Sequence, residues 1–370
     1  MQTLKDEYKA LISNRDRWSY YDCPSTLNYN TLTDNEKAYE FIKKYFKCGE
    51  KENLFDDLDI YGDINIIKDR ASHIVSTYLL GILIAESFHI DFKNMGNFKY
   101  LWFLASLYHD IGYVFEENEN DNYLKMLRDD GLEAIQKILN IKYLRENEFR
   151  TYSRTHINIY LSHRAGCSGA NRGVIDHGIA GGLLLYDRLR KNFETAWEKA
   201  YGLGSDISRE SFYYNGLRFS NRHYRYYAKA ADAIISHNVW IDTLNSYLSE
   251  EGKTSYKEKK IGGDNCIAFV LALADTIEPV KKFGIGSLEL IKYEESDDSG
   301  FRISIQNLKN GDACSYISRT DFEDIRYKTK HNCDNYINCI KGLPSWLDVD
   351  VIDENNGIFL FTRQQPPSNT

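Results

Sequence analysis

The stretch LWFLASLYHDIGY, residues 101–113, decides the fold of this chain. Its apolar residues recur at helical spacing and fill most faces, so the pattern predicts a buried helix from Leu101 to Ile111. The last turn of this helix would carry His109 and Asp110 into the protein interior. A buried carboxylate without a partner is unfavourable. The sequence therefore predicts a partner for Asp110, and a metal ion is one candidate.

Length and composition indicate a globular protein. A chain of 370 residues exceeds the usual size of one compact core, so we expect one large domain with an appendage. The hydrophobic fraction of 42% and the aromatic fraction of 14% are typical of a packed core. The net charge of −8 argues against a general nucleic-acid or membrane-surface binder. Double-stranded nucleic acid is therefore an unfavoured partner.

The cysteines and the N-terminus predict a cytoplasmic location. Seven cysteines are scattered without a CxxC pair, which favours reduced thiols over a disulfide framework or a thiolate zinc site. Residues 1–15 are charged from Lys5 onward and lack the apolar stretch of a signal peptide. The apolar run 78–85 is far shorter than the roughly 20 residues of a spanning helix. We therefore expect no membrane segment.

The patterning divides the chain into four parts. After residue 282 the helical pattern gives way to strand-like segments at 288–293 and 301–308, a helix over 321–341 and a final strand pair within 348–362. We interpret this C-terminal part as a structural or oligomerisation element, compatible with a homo-oligomer. The predicted divisions are an N-terminal helical cap (1–64), the main helical domain (65–282), a small α+β appendage (283–363) and a disordered tail (364–370).

Five mostly apolar helical segments each carry a ligand-type residue near an end or on a buried face. Asp176 is the expected N-cap of one of them, and Gly178, Gly181 and Gly182 would let another helix or a ligand approach it closely. Each interval between the segments can accommodate a helix and a return path, so the ligand-type residues could converge in one bundle core. They are His73, the His109-Asp110 pair, His177, His237 and Asp275.

This ordered pattern, H…HD…H…H…D, resembles the HD-domain superfamily of metal-dependent phosphohydrolases over roughly residues 65–285. The resemblance rests on four local contexts: Arg70-Ala-Ser-His73, His109-Asp110-Ile-Gly112, Asp176-His177-Gly178 and Leu273-Ala-Asp275. It implies a mostly α-helical HD-domain bundle. It also implies one or two divalent transition-metal ions (Mn, Fe, Ni, Co or Zn, with Mg as a further option). The implied ligands are His73, His109, Asp110 and Asp275 for the first ion, and His177 and His237 for the second, with Asp110 bridging.

The activity that the resemblance implies is hydrolysis of a phosphomonoester or phosphodiester by a metal-activated water. His109 and Asp110 would be the catalytic residues, and a nucleotide or oligonucleotide is the favoured substrate. Arg70, one turn before His73, is a candidate to pair with a carboxylate near the ligands. A guanidinium group can donate two hydrogen bonds to one phosphate. The candidate substrate-binding residues are therefore Arg164, Arg172 and Arg222.

Several alternatives stay open at this point. His223 is a rival for the position assigned to His237. Tyr113 occupies the place where many two-metal members of the superfamily carry a lysine, in the motif HDxGK, and no GYP motif follows. This departure disfavours the branch that hydrolyses cyclic dinucleotides. Two other functions fit the same residues: a di-iron oxygenase on the same scaffold, and a non-catalytic nucleotide-binding regulatory module.

Overall fold

The fold is known from a computed structural model, which describes the chain in segments. The described residues are 2–22, 27–49, 51–87, 98–116, 121–144, 149, 153–154, 156–158, 160–161, 175–202, 211–237, 266–289, 291–296, 300–305, 352–354 and 357–359. Helices hold 74% of them, which confirms the predicted mostly α-helical class. Among these segments, no helix combines the length and the hydropathy required to cross a bilayer.

Helices dominate the chain up to residue 283, and most strands follow them. The α-helices are α1 (Leu4–Ser13), α2 (Arg15–Trp18), α3 (Tyr29–Leu32), α4 (Asn35–Lys47), α5 (Asn65–Ser87), α6 (Phe98–Ser106), α7 (Tyr113–Glu116), α8 (Asp121–Asp130), α9 (Leu132–Ile138), α10 (His177–Tyr201), α11 (Arg222–Ser236), α12 (Cys266–Ile277) and α13 (Pro279–Phe283). The strands are β1 (Gln2–Thr3), β2 (Ser211–Tyr214), β3 (Leu217–Ser220), β4 (Ile291–Ser296), β5 (Gly300–Ile305), β6 (Ile352–Glu354) and β7 (Gly357–Phe359).

Helices α5 and α6 form the centre of the core. Every residue of α6 from Tyr100 to Ser106 is buried, and so is every residue of α5 from Ala71 to Ala85. Segments that are apolar on all faces are stable only when neighbours cover them on all sides. Helix α4 covers α5, and α12 contacts both central helices. Helix α11 packs between α12 and α10, so these helices surround one interior space.

The His109-Asp110 pair lies in a turn, not in a helix. Helix α6 ends at Ser106, and residues 107–112 form turns, so the prediction of a helix as far as Ile111 was wrong. The amide of Ile111 donates to the carbonyl of Tyr108 at 3.1 Å, a spacing of three residues instead of four. This tighter winding turns both the imidazole and the carboxylate toward the same side, facing the surrounding helices.

The turn that carries the pair lies directly against the start of α10. A Cβ atom added at Gly112 would lie 1.9 Å from the carbonyl oxygen of His177, so only glycine fits at this position. On the same helix, a Cβ at Gly182 would lie 2.8 Å from the carbonyl oxygen of Ala231 on α11. The predicted close approach of another helix is confirmed at Gly182. The predicted N-cap is confirmed as well, because Asp176 Oδ1 accepts from the amide of Ile179 at 2.9 Å.

The C-terminal strands form one sheet with the N-terminus. The sheet order is β1-β4-β5-β7-β6, and every pair is antiparallel. The predicted hairpin is present, with Ile291 opposite Ile305. Strand β1 was not predicted, and it pairs Gln2 with Tyr293. The cap and the appendage therefore share a sheet. The helix predicted over 321–341 and the tail lie outside the described residues.

Cys48, which follows α4, is disulfide-bonded. The prediction that the cysteines are reduced thiols is therefore wrong for this residue.

Candidate metal centre

The structure brings all six predicted ligand-type side chains together in the space between the central helices. They come from separate elements: His73 from α5, His109 and Asp110 from the turn after α6, His177 from the first position of α10, His237 from the C-cap of α11, and Asp275 from α12. The four histidines and Asp110 are buried, and the side chain of Asp275 is 14% exposed.

Four of these side chains form a carboxylate-rich half of the cluster: His73, His109, Asp110 and Asp275. Oδ1 of Asp275 lies 2.9 Å from Nε2 of His73 and 3.5 Å from Nε2 of His109. The oxygens of Asp110 lie 3.3 Å from Nε2 of His109 and 3.6 Å from Nε2 of His73. Two ligand atoms about 2.1 Å from one ion lie roughly 3.0–3.4 Å apart at ordinary coordination angles. This half could therefore hold a metal ion.

The two remaining residues form a histidine pair, His177 and His237, beside the first group. Their Nε2 atoms lie 3.3 Å apart, and Nε2 of His177 lies 4.0 Å from Oδ1 of Asp110. His237 also forms a metal-compatible group with His109 and Asp110. Asp110 thus contacts both parts of the cluster, in the place where a bridging ligand would lie.

Each histidine has its second ring nitrogen occupied. When Nδ1 carries the proton and donates it to an acceptor, Nε2 keeps a lone pair for a metal. All four rings present Nε2 to the cluster and Nδ1 to an acceptor on the far side. The pairs are His73 with Glu278 Oε2 (2.7 Å), His109 with the Ser106 carbonyl (2.7 Å), His237 with the Ile234 carbonyl (2.6 Å) and His177 with Glu116.

Several atoms that face the cluster lack a hydrogen-bond partner among the described residues. They are Nε2 of His73, Nε2 of His109 and both carboxylate oxygens of Asp110, all of them buried. Arg70 places Nε 3.2 Å from Oδ2 of Asp110, but it is not aligned for a hydrogen bond. Burying such groups without partners is unfavourable by several kcal/mol. A cation between them would satisfy all of these atoms at once, so the residues present fit a metal.

Two of the proposed ligands are in the protonation state that coordinates a metal, Asp110 and His237. Burial raises the pKa of Asp110, but His109, Lys281 and Arg70 outweigh it and hold that pKa well below its usual range. Asp110 is therefore ionised. Burial, together with His177 and His109, lowers the pKa of His237 to about 4. His237 is consequently neutral near pH 7, the form that coordinates a metal.

Sequence reasoning missed the residues that support the ligands. Glu278 is fully buried, accepts from the amides of Val280 and Lys281 at 2.7 and 2.9 Å, and so caps α13 while it contacts His73. A glutamate directly before Pro279 is a helix-start signal that was present in the sequence. Its contact with the imidazole 205 residues away was not readable from that signal.

A second missed feature is a stack of three side chains over the cluster. The guanidinium of Arg70 lies 3.5 Å from the ring centroid of Tyr113. The ring of Tyr113 lies on that of His177, with centroids 3.9 Å apart and planes 14° apart. Tyr113 thus holds a guanidinium beside Asp110. Glu116 and Asp176 flank His177 and with it form a third group of residues that could hold a metal.

Of the three predicted substrate-binding arginines, the structure describes only Arg222, and it lies outside this cluster. Arg164 and Arg172 lie outside the described residues. Arg222 is exposed at the first position of α11, 15 residues before His237, and a helix of that length spans roughly 22 Å. The rival histidine is also elsewhere, because Nδ1 of His223 accepts from the amide of Ser220 at 2.9 Å. The structure therefore places His237 in the cluster and leaves Arg222 and His223 outside it.

Fold and site together define a mostly α-helical protein with a buried histidine and aspartate cluster that could hold a metal ion. No family model, no curated protein and no solved structure matches this chain.

Proposed function

We propose that this protein is a metal-dependent phosphohydrolase with an HD-type helical bundle. It would act on a phosphomonoester or phosphodiester, with a nucleotide or oligonucleotide as the favoured substrate. One observation supports this proposal above the others: His73, His109, Asp110 and Asp275, far apart in sequence, turn buried donor atoms toward one point. The order of these residues along the chain is that of the HD-domain superfamily.

His73, His109, Asp110 and Asp275 would hold one divalent ion, and His177 and His237 a second, with Asp110 between them. Imidazole nitrogens and carboxylate oxygens suit Mn, Fe, Co, Ni and Zn. When bound, such ions lower the pKa of a water ligand and neutralise charge on a phosphate ester. The Nδ1 contacts fix the rings before any ligand arrives, so that little reorganisation is needed.

The test combines metal analysis with turnover. We expect the purified protein to retain or take up a transition metal and to hydrolyse at least one member of a panel of nucleotides, cyclic dinucleotides and oligonucleotides. His109→Ala and Asp110→Ala should abolish both metal uptake and hydrolysis. His223→Gln is the matched control, because His223 is a partly buried histidine outside the cluster. Equal activity in all three variants would refute the proposed site.

Two other outcomes would replace the proposal with a different function. Iron-dependent oxygen uptake without hydrolysis would identify a di-iron oxygenase. Tight nucleotide binding without turnover, with Mn or Ni added, would identify a regulatory module.

A further inference from the structure

The carboxylate-rich half of the cluster is more accessible beside Asp275 than at the His109-Asp110 pair. The side chains of His109 and Asp110 are fully buried, whereas those of Asp275, Arg70 and Lys281 are 14%, 24% and 33% exposed. Exposure therefore increases from the carboxylate-rich half toward two cationic side chains. A ligand that reaches the cluster from this side meets Arg70 and Lys281 first.

Lys281 is held at this position by the start of α13. The capping carboxylate of Glu278 accepts from its backbone amide, and its ammonium lies 3.3 Å from Oδ1 of Asp275. An ammonium group has three donors. The described residues give it this one carboxylate contact, which leaves donors for a further anion. If Asp275 also binds a metal, its charge is shared and the ammonium is held less tightly.

Arg70 is fixed in a complementary way. Its Nε edge faces Asp110 at 3.2 Å, and its guanidinium plane rests on the ring of Tyr113. Stacking of this kind orients the planar guanidinium and reduces the conformational entropy that the side chain loses when it binds an anion. A guanidinium fork matches two oxygens of one phosphate, whereas an ammonium acts as a point charge. The carboxylate oxygens that contact these two cations, Oδ2 of Asp110 and Oδ1 of Asp275, lie 3.6 and 2.9 Å from the same nitrogen, Nε2 of His73. The two cations therefore lie near each other and offer different donor geometries.

From this arrangement we propose that Arg70 and Lys281 form a clamp for a phosphate group and that the substrate is a phosphomonoester, not a diester. The inference rests on the proposed function. A terminal phosphate carries close to two negative charges and three non-bridging oxygens, so it can accept from both cations at once. A diester carries one charge and two such oxygens. Two cations near the metal ligands therefore select the dianion.

The test uses the full-length, metal-loaded protein and two variants of the clamp. Lys281→Met removes the charge and keeps the length of the side chain, and Lys281→Arg keeps the charge. Lys137→Met is the control, since Lys137 forms an exposed ion pair with Asp130 on α8. Three quantities are measured: bound metal, the Kd of inorganic phosphate by calorimetry, and the KM and kcat for 4-nitrophenyl phosphate and bis(4-nitrophenyl) phosphate.

For Lys281→Met we expect the Kd of phosphate and the KM of the monoester to rise about tenfold to a hundredfold, with bound metal unchanged. The KM of the diester should change by less than about threefold. Lys281→Arg should stay within about threefold of wild type for both ligands. Lys137→Met should behave like wild type throughout.

Three results would overturn the clamp. The first is an unchanged Kd of phosphate in Lys281→Met. The second is loss of metal in Lys281→Met but not in Lys281→Arg, which would assign Lys281 to the orientation of Asp275. The third is no phosphate binding by the metal-loaded wild-type protein. If the wild type hydrolyses neither ester, the proposed function fails, while the calorimetric measurement still decides whether the clamp exists.

Discussion

The two parts of the cluster differ in charge and in support. The carboxylate-rich half contains two ionised aspartates. Its His73 ring is hydrogen-bonded through Nδ1 to the fully buried Glu278. The histidine pair lies beside that half, next to His109 and Asp110, and its His177 ring contacts Glu116, which is 31% exposed. Charge and burial both strengthen coordination. We therefore expect the carboxylate-rich half to bind its ion first and more tightly.

The largest effect should come from the residue that both parts share. Asp110→Asn keeps the size of the side chain but removes the charge, so both ions should be lost and activity should fall about a thousandfold or more. Metal stoichiometry and turnover check this expectation. Asp187→Asn is the control, because Asp187 is a buried aspartate outside the cluster that accepts from the amide of Lys142 at 2.7 Å. Retention of both ions in Asp110→Asn would contradict the shared role.

The next comparison removes one histidine from each part. His73→Ala should eliminate the tighter ion, and His237→Ala should eliminate only the weaker one. Metal analysis after dialysis should therefore show about one ion in His237→Ala and less than one in His73→Ala. Equal metal content in the two variants would show that the cluster binds its ions as a single unit.

A smaller effect should follow from the supporting carboxylates. Glu278→Gln leaves the shape of the side chain but weakens the acceptor for Nδ1 of His73, so the affinity of the carboxylate-rich half should fall about tenfold to a hundredfold. Glu116→Gln acts on a partly exposed contact and should change affinity less than tenfold. Competition with a metal indicator measures both values. A larger loss in Glu116→Gln would reverse the order of the two parts.

Apolar periodicity pointed to the segments that carry the candidate ligands, and the assignment of these residues as metal ligands came from the resemblance to the HD-domain superfamily. His73, His177 and Asp275 belong to helices that residue spacing predicts, and those helices are present. The end of α6 was missed, since Leu107, Tyr108 and Ile111 continue the apolar pattern beyond Ser106. The turns that follow α6 bring Gly112 against the start of α10, a contact with a segment 65 residues away that the pattern does not predict.

The supporting residues were harder to predict because their roles depend on distant partners. Glu278 and Lys281 look like an ordinary helix start in the sequence, and only the fold brings them beside His73 and Asp275. The pairing of β1 with β4 joins residues about 290 apart, and a two-residue strand has no periodicity. By contrast, the β2–β3 hairpin carried a readable signal that was overlooked: Asn215-Gly216, both at positive φ.

The smallest expected effect concerns His223, which was the alternative to His237 as a metal ligand. Burial lowers the pKa of His223 to about 4, below its value of about 6.5 in an unfolded chain. Between these values the unfolded state binds more protons, so this contribution to stability is complete above pH 6.5 and decreases as the pH falls toward 4. It amounts to roughly 1–3 kcal/mol. His223→Gln should lose less stability than wild type over that range in urea unfolding, with metal content unchanged. If the free energies of unfolding of the two proteins change in parallel with pH, His223 is protonated equally in the folded and unfolded states. If His223→Gln loses metal, His223 and not His237 is the ligand.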